Sequence, residues 1–289
     1  MTTLPEPSRD LRPEPWWLAP AGTFATILHR DILVAAKQWP TLLAQAVLLP
    51  CGVLFVLGRL LVDLGYVSGD YAGILLPGMV AANAFLGGLQ GTATPVVLAL
   101  HATGDLEDLL LAPVSHTLVA VSKIVFGALR GLAGALVLAL LGCLVVRAVD
   151  LPDASYADWA AASGILVLGA LAGSSIGLCL ATLVPARRYR LSHTVATSLL
   201  VLTGAVWAPI ALLGSLPSVQ LLCLLNPLTY VSEGLRAALL GAKAASVSLL
   251  ADAAALVLVL AVAVPAALAG FRSRTLCPRV TGPTRPRDR

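Results

Sequence analysis

The chain has 289 residues, of which 58% are hydrophobic and 12% are charged, and its formal net charge is +4. Ordinary soluble domains contain about 45–50% apolar and about 25% charged residues, because their surfaces must be covered with polar groups. This composition, with a mean hydropathy of +0.90, excludes an ordinary soluble protein and predicts one that is embedded in a lipid bilayer.

Six apolar stretches are long enough to cross a membrane, for which a helix needs about 20 apolar residues. In chain order they are residues 41–62, 71–100, 118–146, 159–184, 191–213 and 249–271. They predict an all-α polytopic membrane protein with six transmembrane helices. We expect one membrane domain over residues 23–274, preceded by a flexible segment, 1–22, and followed by a basic tail, 275–289.

Residues 23–39 precede the first predicted span and have the pattern of a helix that lies on the membrane surface. At 100° per residue, apolar side chains gather on one face and basic side chains on the other. The apolar face contains Phe24, Ile27, Leu28, Ile32, Val34, Ala35 and Trp39, and the basic face contains His29, Arg30 and Lys37. Asp31 lies at the edge of the apolar face. An interfacial helix is predicted, with an ordinary docking helix as the alternative.

Residues 101–116, between the second and third spans, contain a short predicted helix. Asp105 can cap its start and Pro113 ends it. Glu107 and Asp108 stand in its first turn, where acidic side chains suit the helix dipole. One side of it carries Leu106, Leu109 and Leu110. We expect this helix to insert into a groove on another protein or, alternatively, to pack against its own bundle.

Residues 214–248, between the fifth and sixth spans, contain an apolar stretch that is too short to cross the bilayer. Glu233 and Arg236 lie three residues apart, on one face of a predicted helix, where they can form an ion pair. We therefore expect a re-entrant segment, which dips into the membrane and returns to the same side. It would form a lid on the outer side of the bundle.

The distribution of Lys and Arg predicts the orientation, because cytoplasmic loops carry the excess of positive charge. With both termini in the cytoplasm, the outside receives only Arg59, Arg147, Arg236 and Lys243. We therefore expect a multi-pass protein of the cell membrane with both termini cytoplasmic. No aromatic residue follows Phe271, so the arginine-rich tail is interpreted as a topology signal and no nucleic-acid partner is expected.

The sequence contains no motif that would let this chain hydrolyse nucleotide or catalyse a reaction by itself. A GxxxxGK[ST] phosphate-binding loop, HExxH and GxSxG are all absent. The five cysteines and four histidines have no metal-ligand spacing, so no metal and no cofactor is expected on this chain. The glycine clusters 87–91 and 173–177 lie in apolar spans and are interpreted as helix-packing positions.

Three polar side chains within the predicted spans mark a possible substrate path: Asn83, Gln90 and Arg130. For Asn83 and Gln90, an interhelical hydrogen bond is the alternative to substrate contact. Arg130 is expected near the inner third of the third span, within snorkelling distance of the interface. The candidate carboxylates for an ion-driven mechanism, Asp63 and Asp252, are expected near outer ends of spans, which argues against such a mechanism.

Three segments carry a family resemblance in this order along the chain: ILLPGMVAANAF (74–85), GDLEDLLLAPVSHTLVAVSKIV (104–125) and NPLTYVSEGLRAAL (226–239). Together they resemble the permeases of the type 2 ABC exporter family, and within it those of the daunorubicin/doxorubicin and nodulation-factor exporters. The resemblance implies a homodimer or a heterodimer with a related permease, bound to separate ABC ATPase subunits. ATP and Mg²⁺ would then bind to the partner ATPase.

The same resemblance implies roles for three groups of residues. The coupling helix, which would enter the ATPase groove, comprises Leu106, Glu107, Asp108, Leu109, Leu110, Ala112 and Pro113. The connecting helix beside it comprises Phe24, Ile27, Arg30, Asp31 and Lys37. The outer gate comprises Asn226, Pro227, Tyr230, Glu233 and Arg236.

The expected function is therefore that of the membrane-spanning subunit of an ATP-driven exporter for a hydrophobic or amphipathic substrate, such as a drug, an antibiotic or a lipid. Export of a saccharide-containing lipid or polymer is the alternative, which the 5% aromatic content disfavours. A lipid-modifying membrane enzyme would need converging acids or histidines. A membrane anchor or sensor without a cytoplasmic domain would have little use for six spans.

Overall fold

The computed structural model describes residues 19–37, 39–100, 115–146, 155–214, 216–241 and 247–276. Within these ranges the regular structure is helical, which confirms the predicted all-α class. The main helices are α1 (Ala19–Lys37), α2 (Trp39–Phe55), α3 (Tyr71–Leu98), α4 (His116–Val146), α5 (Tyr156–Leu183), α6 (Ala186–Thr203), α7 (Pro217–Leu224), α8 (Pro227–Leu240) and α9 (Leu249–Leu276).

Four of the described helices, α3, α4, α5 and α9, are long and apolar enough to cross a membrane. They correspond to the second, third, fourth and sixth predicted spans. The first predicted span, residues 41–62, is helical throughout but changes its helix type. After α2, the chain continues through a π-helical turn (Val56–Leu60) and a final α-helical turn (Leu61–Asp63).

The fifth predicted span, residues 191–213, is not one continuous helix. Helix α6 ends at Thr203, the chain bends through residues 204–209, and a 3₁₀ turn (Ile210–Leu213) follows. Ala205 has a positive φ of 48°, which takes the backbone out of the right-handed helical region. Pro209 also lacks the amide hydrogen that a continuing helix would use. The helix of this span therefore stops at Thr203 rather than at Leu213.

Helix α3 lies at the centre of the bundle and packs against α4 on one side and α5 on the other. A Cβ atom at Gly173 of α5 would collide with the carbonyl oxygen of Phe85, and one at Gly131 of α4 would collide with that of Ala84. Small residues thus let three helix backbones approach closely, as membrane helices commonly do. This geometry confirms the packing role predicted for the glycine clusters.

The bundle has two ends, which we name after the short elements that pack there. At the α1 end, Ile27 of α1 packs with Val119, Leu178 and Phe271 from α4, α5 and α9. At the α8 end, helix α8 packs against α3, α5 and α9. Helices α3 and α9 begin at the α8 end, and α4 begins at the α1 end.

Candidate functional site

A cavity of about 660 Å³ lies along the side of the bundle. Drug-sized ligands are bound in pockets of about 300–1,000 Å³ that are mostly apolar and contain a few polar groups. The apolar walls come from α1 (Ile32, Ala35, Ala36), α2 (Leu49, Pro50, Val53), α3 (Met79, Ala82, Leu86), α4 (Phe126, Leu129, Val137) and the chain after α6 (Val206, Trp207). The cavity therefore extends from α1 to the bend that follows α6.

All three side chains of the predicted substrate path line this cavity: Asn83, Gln90 and Arg130. Asn83 and Gln90 are seven residues apart on α3, which is two helical turns along one face. Nδ2 of Asn83 donates a hydrogen bond to the carbonyl oxygen of Gly134 on α4 (3.1 Å). Asn83 therefore makes the predicted interhelical hydrogen bond and also lines the cavity.

Arg130 stands next to the midpoint of α4. The helix runs for 31 residues from His116 to Val146, so Gly131 is its central residue. Side chains on a helix lean towards its N-terminus, and Cδ of Arg130 accordingly lies beside Gly91 of α3. Glycine at position 91 leaves room for the arginine stem between the two helices.

A second polar site, the Arg236 clasp, joins α8 to the bend after α6. Nη1 of Arg236 donates to Oε1 of Glu233 (3.0 Å), and both side chains are completely buried. The guanidinium also donates to the carbonyl oxygens of Ala205 (2.7 Å), Val206 (2.6 Å) and Ile74 (3.0 Å). The planar fork of an arginine can satisfy several acceptors at once, which a lysine cannot do.

The structure confirms the predicted Glu233–Arg236 pair. The charge count assigned Arg236 to the outside, and the structure buries its side chain between α3, α8 and the bend. Its charge is tolerated there because Glu233 and the carbonyl oxygens replace water. The amide of Ile210 also donates to Oε1 of Glu233 (3.3 Å), so the clasp holds both sides of the bend.

Asn226 ties the start of α8 to the end of α6. Its Oδ1 accepts a hydrogen bond from the amide of Leu228 (2.9 Å) and so caps α8, which has Pro227 as its first residue. Its Nδ2 donates to the carbonyl oxygen of Leu200 (2.8 Å) and to Oγ1 of Thr203 (2.9 Å). The hydroxyl of Tyr230 donates to the carbonyl oxygen of Leu224 (2.6 Å). The five residues assigned to the outer gate thus belong to one connected structure around α8.

Asp252 of α9 is completely buried beside α8, where its Cβ lies next to Gly234. Within the described part of the chain, neither of its carboxylate oxygens has a hydrogen-bond partner. The sequence placed this residue near the outer end of the sixth span, and the structure places it in the first turn of α9. Its inward orientation and its burial could not be seen from the sequence.

Helix α1 is fastened to α4 by a buried ion pair between Asp31 and Lys123. Nζ of Lys123 lies 2.6 Å from Oδ2 of Asp31. Among the other predicted connecting-helix residues, Ile27 is buried and Phe24 is half-buried, whereas Arg30 and Lys37 are exposed. The predicted apolar face is only partly covered, because the side chains of Ile32 and Val34 remain exposed.

Lys123 is the residue of this site that sequence reasoning missed, because it was used only as a topology marker. One signal was available: Lys123 and Arg130 are seven residues apart in an apolar helix and therefore share a face. The predicted coupling-helix residues, Leu106 to Pro113, lie outside the described residues.

The comparisons with known proteins agree with this architecture. A sequence model of the family described as ABC-2 type transporter matches residues 23–240, which covers α1 to α8. No curated protein sequence shows a significant match to the chain. The match extends over most of the chain and includes the cavity, the Arg236 clasp and α1. The chain therefore belongs to the ABC-2 type transporter family and is a multi-pass membrane component of an ABC transporter.

Proposed function

We propose that this chain is the permease subunit of an exporter that moves hydrophobic or amphipathic molecules, such as drugs, antibiotics or lipids, out of the cytoplasm or the inner leaflet. The observation that carries the proposal is the cavity of about 660 Å³ with apolar walls and three polar side chains. Such a lining suits a molecule that combines an apolar body with a polar group. Within the family, the proposal assigns the chain to the subgroup of the daunorubicin/doxorubicin and nodulation-factor exporter permeases.

The energy would come from a separate subunit, because ABC-2 permeases normally pair with an ABC ATPase. ATP and Mg²⁺ would bind to that partner. In this proposal the α1 end of the bundle, with both termini, faces the cytoplasm, and residues 106–113 form the coupling helix that enters the ATPase groove. Two permease subunits, identical or related, would complete the transporter.

The ion pair of Asp31 and Lys123 supports a route for the mechanical coupling. Force that reaches α1 is transmitted to α4 through this contact, and α4 carries Arg130 in the cavity wall. Movement of α1 and α4 together relative to α2 would change the shape of the cavity between them. Alternating access then consists of opening the cavity first towards the α1 end and later towards the α8 end.

The Arg236 clasp supports the proposed outer gate. It connects α8 to Ala205 and Val206, and Val206 also lines the cavity. A shift of α8 would therefore move the cavity wall at the α8 end. In this way the buried ion pair would couple a shift of α8 to release of the substrate on the outer side.

Export of a saccharide-containing lipid or polymer remains the second candidate. The same cavity could hold the lipid part of such a molecule. Trp207 and Phe126 are aromatic side chains in the cavity wall on which a sugar ring could stack. A lipid-modifying enzyme is a weaker candidate, because the polar lining of the cavity contains an amide pair and an arginine rather than converging carboxylates or histidines.

The test is co-purification of an ATPase with the tagged, full-length chain, followed by transport in vesicles. We expect a nucleotide-binding subunit to be captured, and we expect nucleotide-dependent uptake of a lipophilic dye into inside-out vesicles. Replacing Leu109 and Leu110 with Asp should abolish the association. As a matched control, Leu64→Asp should retain it, since Leu64 is an exposed leucine that directly follows the helical residues 39–63. Association that survives the change at Leu109 and Leu110 would contradict the assigned contact.

A further inference from the structure

Arg130 is the charged side chain in the wall of the cavity, and its polar neighbours there are Gln90 and Asn83. An ionisable side chain in an apolar helix is costly to place in a membrane and usually serves a function. Within the described part of the chain, no carboxylate forms an ion pair with Arg130. Its guanidinium is therefore available on the cavity side.

Three other cations that are buried or partly buried in the described part of the bundle are satisfied by the protein itself. Lys123 pairs with Asp31, and Arg236 pairs with Glu233 and three carbonyl oxygens. Nε of Arg274 donates to the carbonyl oxygen of Thr182 (2.6 Å). These contacts show how the fold stabilises a cation that does not line the cavity. Arg130 differs from all three because, among the described residues, its guanidinium makes neither an ion pair nor a hydrogen bond.

We propose that the cavity selects amphiphiles that carry an anionic head group, a carboxylate or a phosphate, and that Arg130 binds this head group. The inference rests on the permease function proposed above and specifies its substrate class. The guanidinium fork matches the two oxygens of a carboxylate or phosphate, and such charge-assisted hydrogen bonds are stronger than neutral ones. The exposed amide of Gln90 provides a further donor in the same wall.

The walls of the cavity indicate the rest of the molecule. Met79, Leu86 and Phe126 provide apolar surface in the same cavity as Arg130, on which a hydrocarbon chain or a fused-ring body can lie. Exposed Leu49 forms part of the opposite wall, so the cavity is accessible from the side of the bundle. A volume of about 660 Å³ fits a single-chain or drug-sized molecule, whereas a two-chain phospholipid would leave one chain outside.

Trp207 in the cavity wall allows binding to be measured on the full-length chain without its ATPase. The protein is reconstituted in nanodiscs of zwitterionic lipid at mildly alkaline pH, where a carboxylate is ionised. A brominated straight-chain carboxylate, its uncharged methyl ester and the quaternary ammonium compound of the same chain serve as quenchers. The Trp207→Phe variant gives the fluorescence of the other tryptophans. Subtracting it from the fluorescence of the unchanged protein leaves the signal of Trp207. Brominated phosphatidylglycerol and phosphatidylcholine form a separate arm, which distinguishes a free amphiphile from a membrane lipid.

We expect the carboxylate to quench Trp207 at a concentration about tenfold lower than the methyl ester, which corresponds to about 1.4 kcal/mol, and the ammonium compound to bind worst. Arg130→Gln should bring the carboxylate to the level of the ester while ester binding persists, which also shows that the variant is folded. Arg130→Lys should keep part of the preference. Arg59→Gln, at an arginine outside the cavity that faces Asp63, should change nothing.

The proposal is overturned if Arg130→Gln retains the preference for the carboxylate, or if Arg59→Gln loses as much of it. The proposal is also overturned if none of the single-chain probes quenches Trp207, which is the result expected if a second copy of the chain fills the cavity. The result separates this inference from the proposed function. Nucleotide-dependent transport without charge preference would support the permease function and exclude the anionic substrate class. Anion binding at Arg130 without any transport would support the binding site and contradict the permease function.

Discussion

The ammonium group of Lys123 lies 2.6 Å from Oδ2 of Asp31, and this ion pair joins α1 to α4 across 92 residues of sequence. The two side chains are only 11% and 10% exposed. Removal of one partner from a buried pair leaves the other charge without compensation, which costs about 3–5 kcal/mol.

We expect Lys123→Met and Asp31→Asn each to destabilise the protein by about 3 kcal/mol, near the lower limit because some solvent reaches the pair. The double variant should be more stable than either single variant, since no unpaired charge remains. Unfolding in mixed detergent micelles measures these differences. Arg30→Gln is the control: Arg30 lies 3.9 Å from Asp31 but its side chain is 54% exposed, so the change should be within about 0.5 kcal/mol. Additive losses in the double variant would argue against the pair.

Arg236→Met should be among the most destabilising substitutions in the chain, with a loss of about 3–5 kcal/mol, because it leaves Glu233 buried without its cation. Arg236→Lys should recover part of this loss, since an ammonium restores the charge but cannot reach the carbonyl oxygens of Ile74 and Val206 together. The same detergent unfolding assay applies. Arg187→Met, at an exposed position on α6, should be neutral, and similar stability of all variants would contradict the described clasp.

The close approach of α3 and α5 predicts opposite outcomes for two glycines of α5. Gly173→Ala should lower stability by about 1–3 kcal/mol, because the added methyl group meets the carbonyl oxygen of Phe85. Gly164→Ala adds the same methyl group where nothing lies within 4 Å, and should stabilise the helix by about 0.5–1 kcal/mol. A thermal shift in detergent compares the two. Equal effects would mean that the helices do not approach closely at Gly173.

Asn226 has two separable roles, and two substitutions distinguish them. Asn226→Ala removes the cap of α8 and both bonds from Nδ2 to α6, and should cost about 2 kcal/mol or more. Asn226→Ser keeps a neutral capping oxygen and loses the amide donor, so its loss should be smaller. Thermal stability and protease sensitivity of the segment between α6 and α8 provide the measurement. If the Ser variant is as unstable as the Ala variant, the donor bonds to Leu200 and Thr203 dominate.

Cysteine labelling tests the proposed six-span topology in a variant without the native cysteines. An impermeant reagent applied from outside should react with Ser68→Cys and with Ser248→Cys. Ser68 lies between the helical residues 39–63 and α3, and Ser248 directly precedes α9. Arg188→Cys, at the start of α6, should react only from the cytoplasmic side. All three positions are exposed. If α6 does not cross the membrane, positions 188 and 248 will be labelled from the same side.

The spans could be predicted from the sequence where a long apolar run coincides with one regular helix. This holds for α3, α4, α5 and α9, because in a bilayer the backbone must satisfy its own hydrogen bonds and an apolar run therefore becomes a helix. The end of α6 at Thr203 could not be predicted. It depends on the positive φ of Ala205 and on carbonyl oxygens that bind to Arg236, and neither has a local sequence signature.

The candidate site was predictable in its parts and not in its connections. The spacing of Glu233 and Arg236 was sufficient to predict their pair, because i and i+3 are neighbours on a helix. The pairing of Asp31 with Lys123 depends on how α1 packs against α4, which only the tertiary structure defines. The same is true of the cavity: Asn83 and Gln90 lie on α3 and Arg130 lies on α4, and only the packing of the two helices brings all three to one wall.

The grip of Arg236 on main-chain carbonyl oxygens has an evolutionary consequence. Every residue type presents the same carbonyl group, so the guanidinium does not read the identity of the side chains at positions 205 and 206. Position 205 is limited by its backbone torsion, whereas position 206 is limited by the packing of its own buried side chain and not by the guanidinium. Because Val206 also faces the cavity, related transporters can diverge in what they accept at this position while their architecture remains the same.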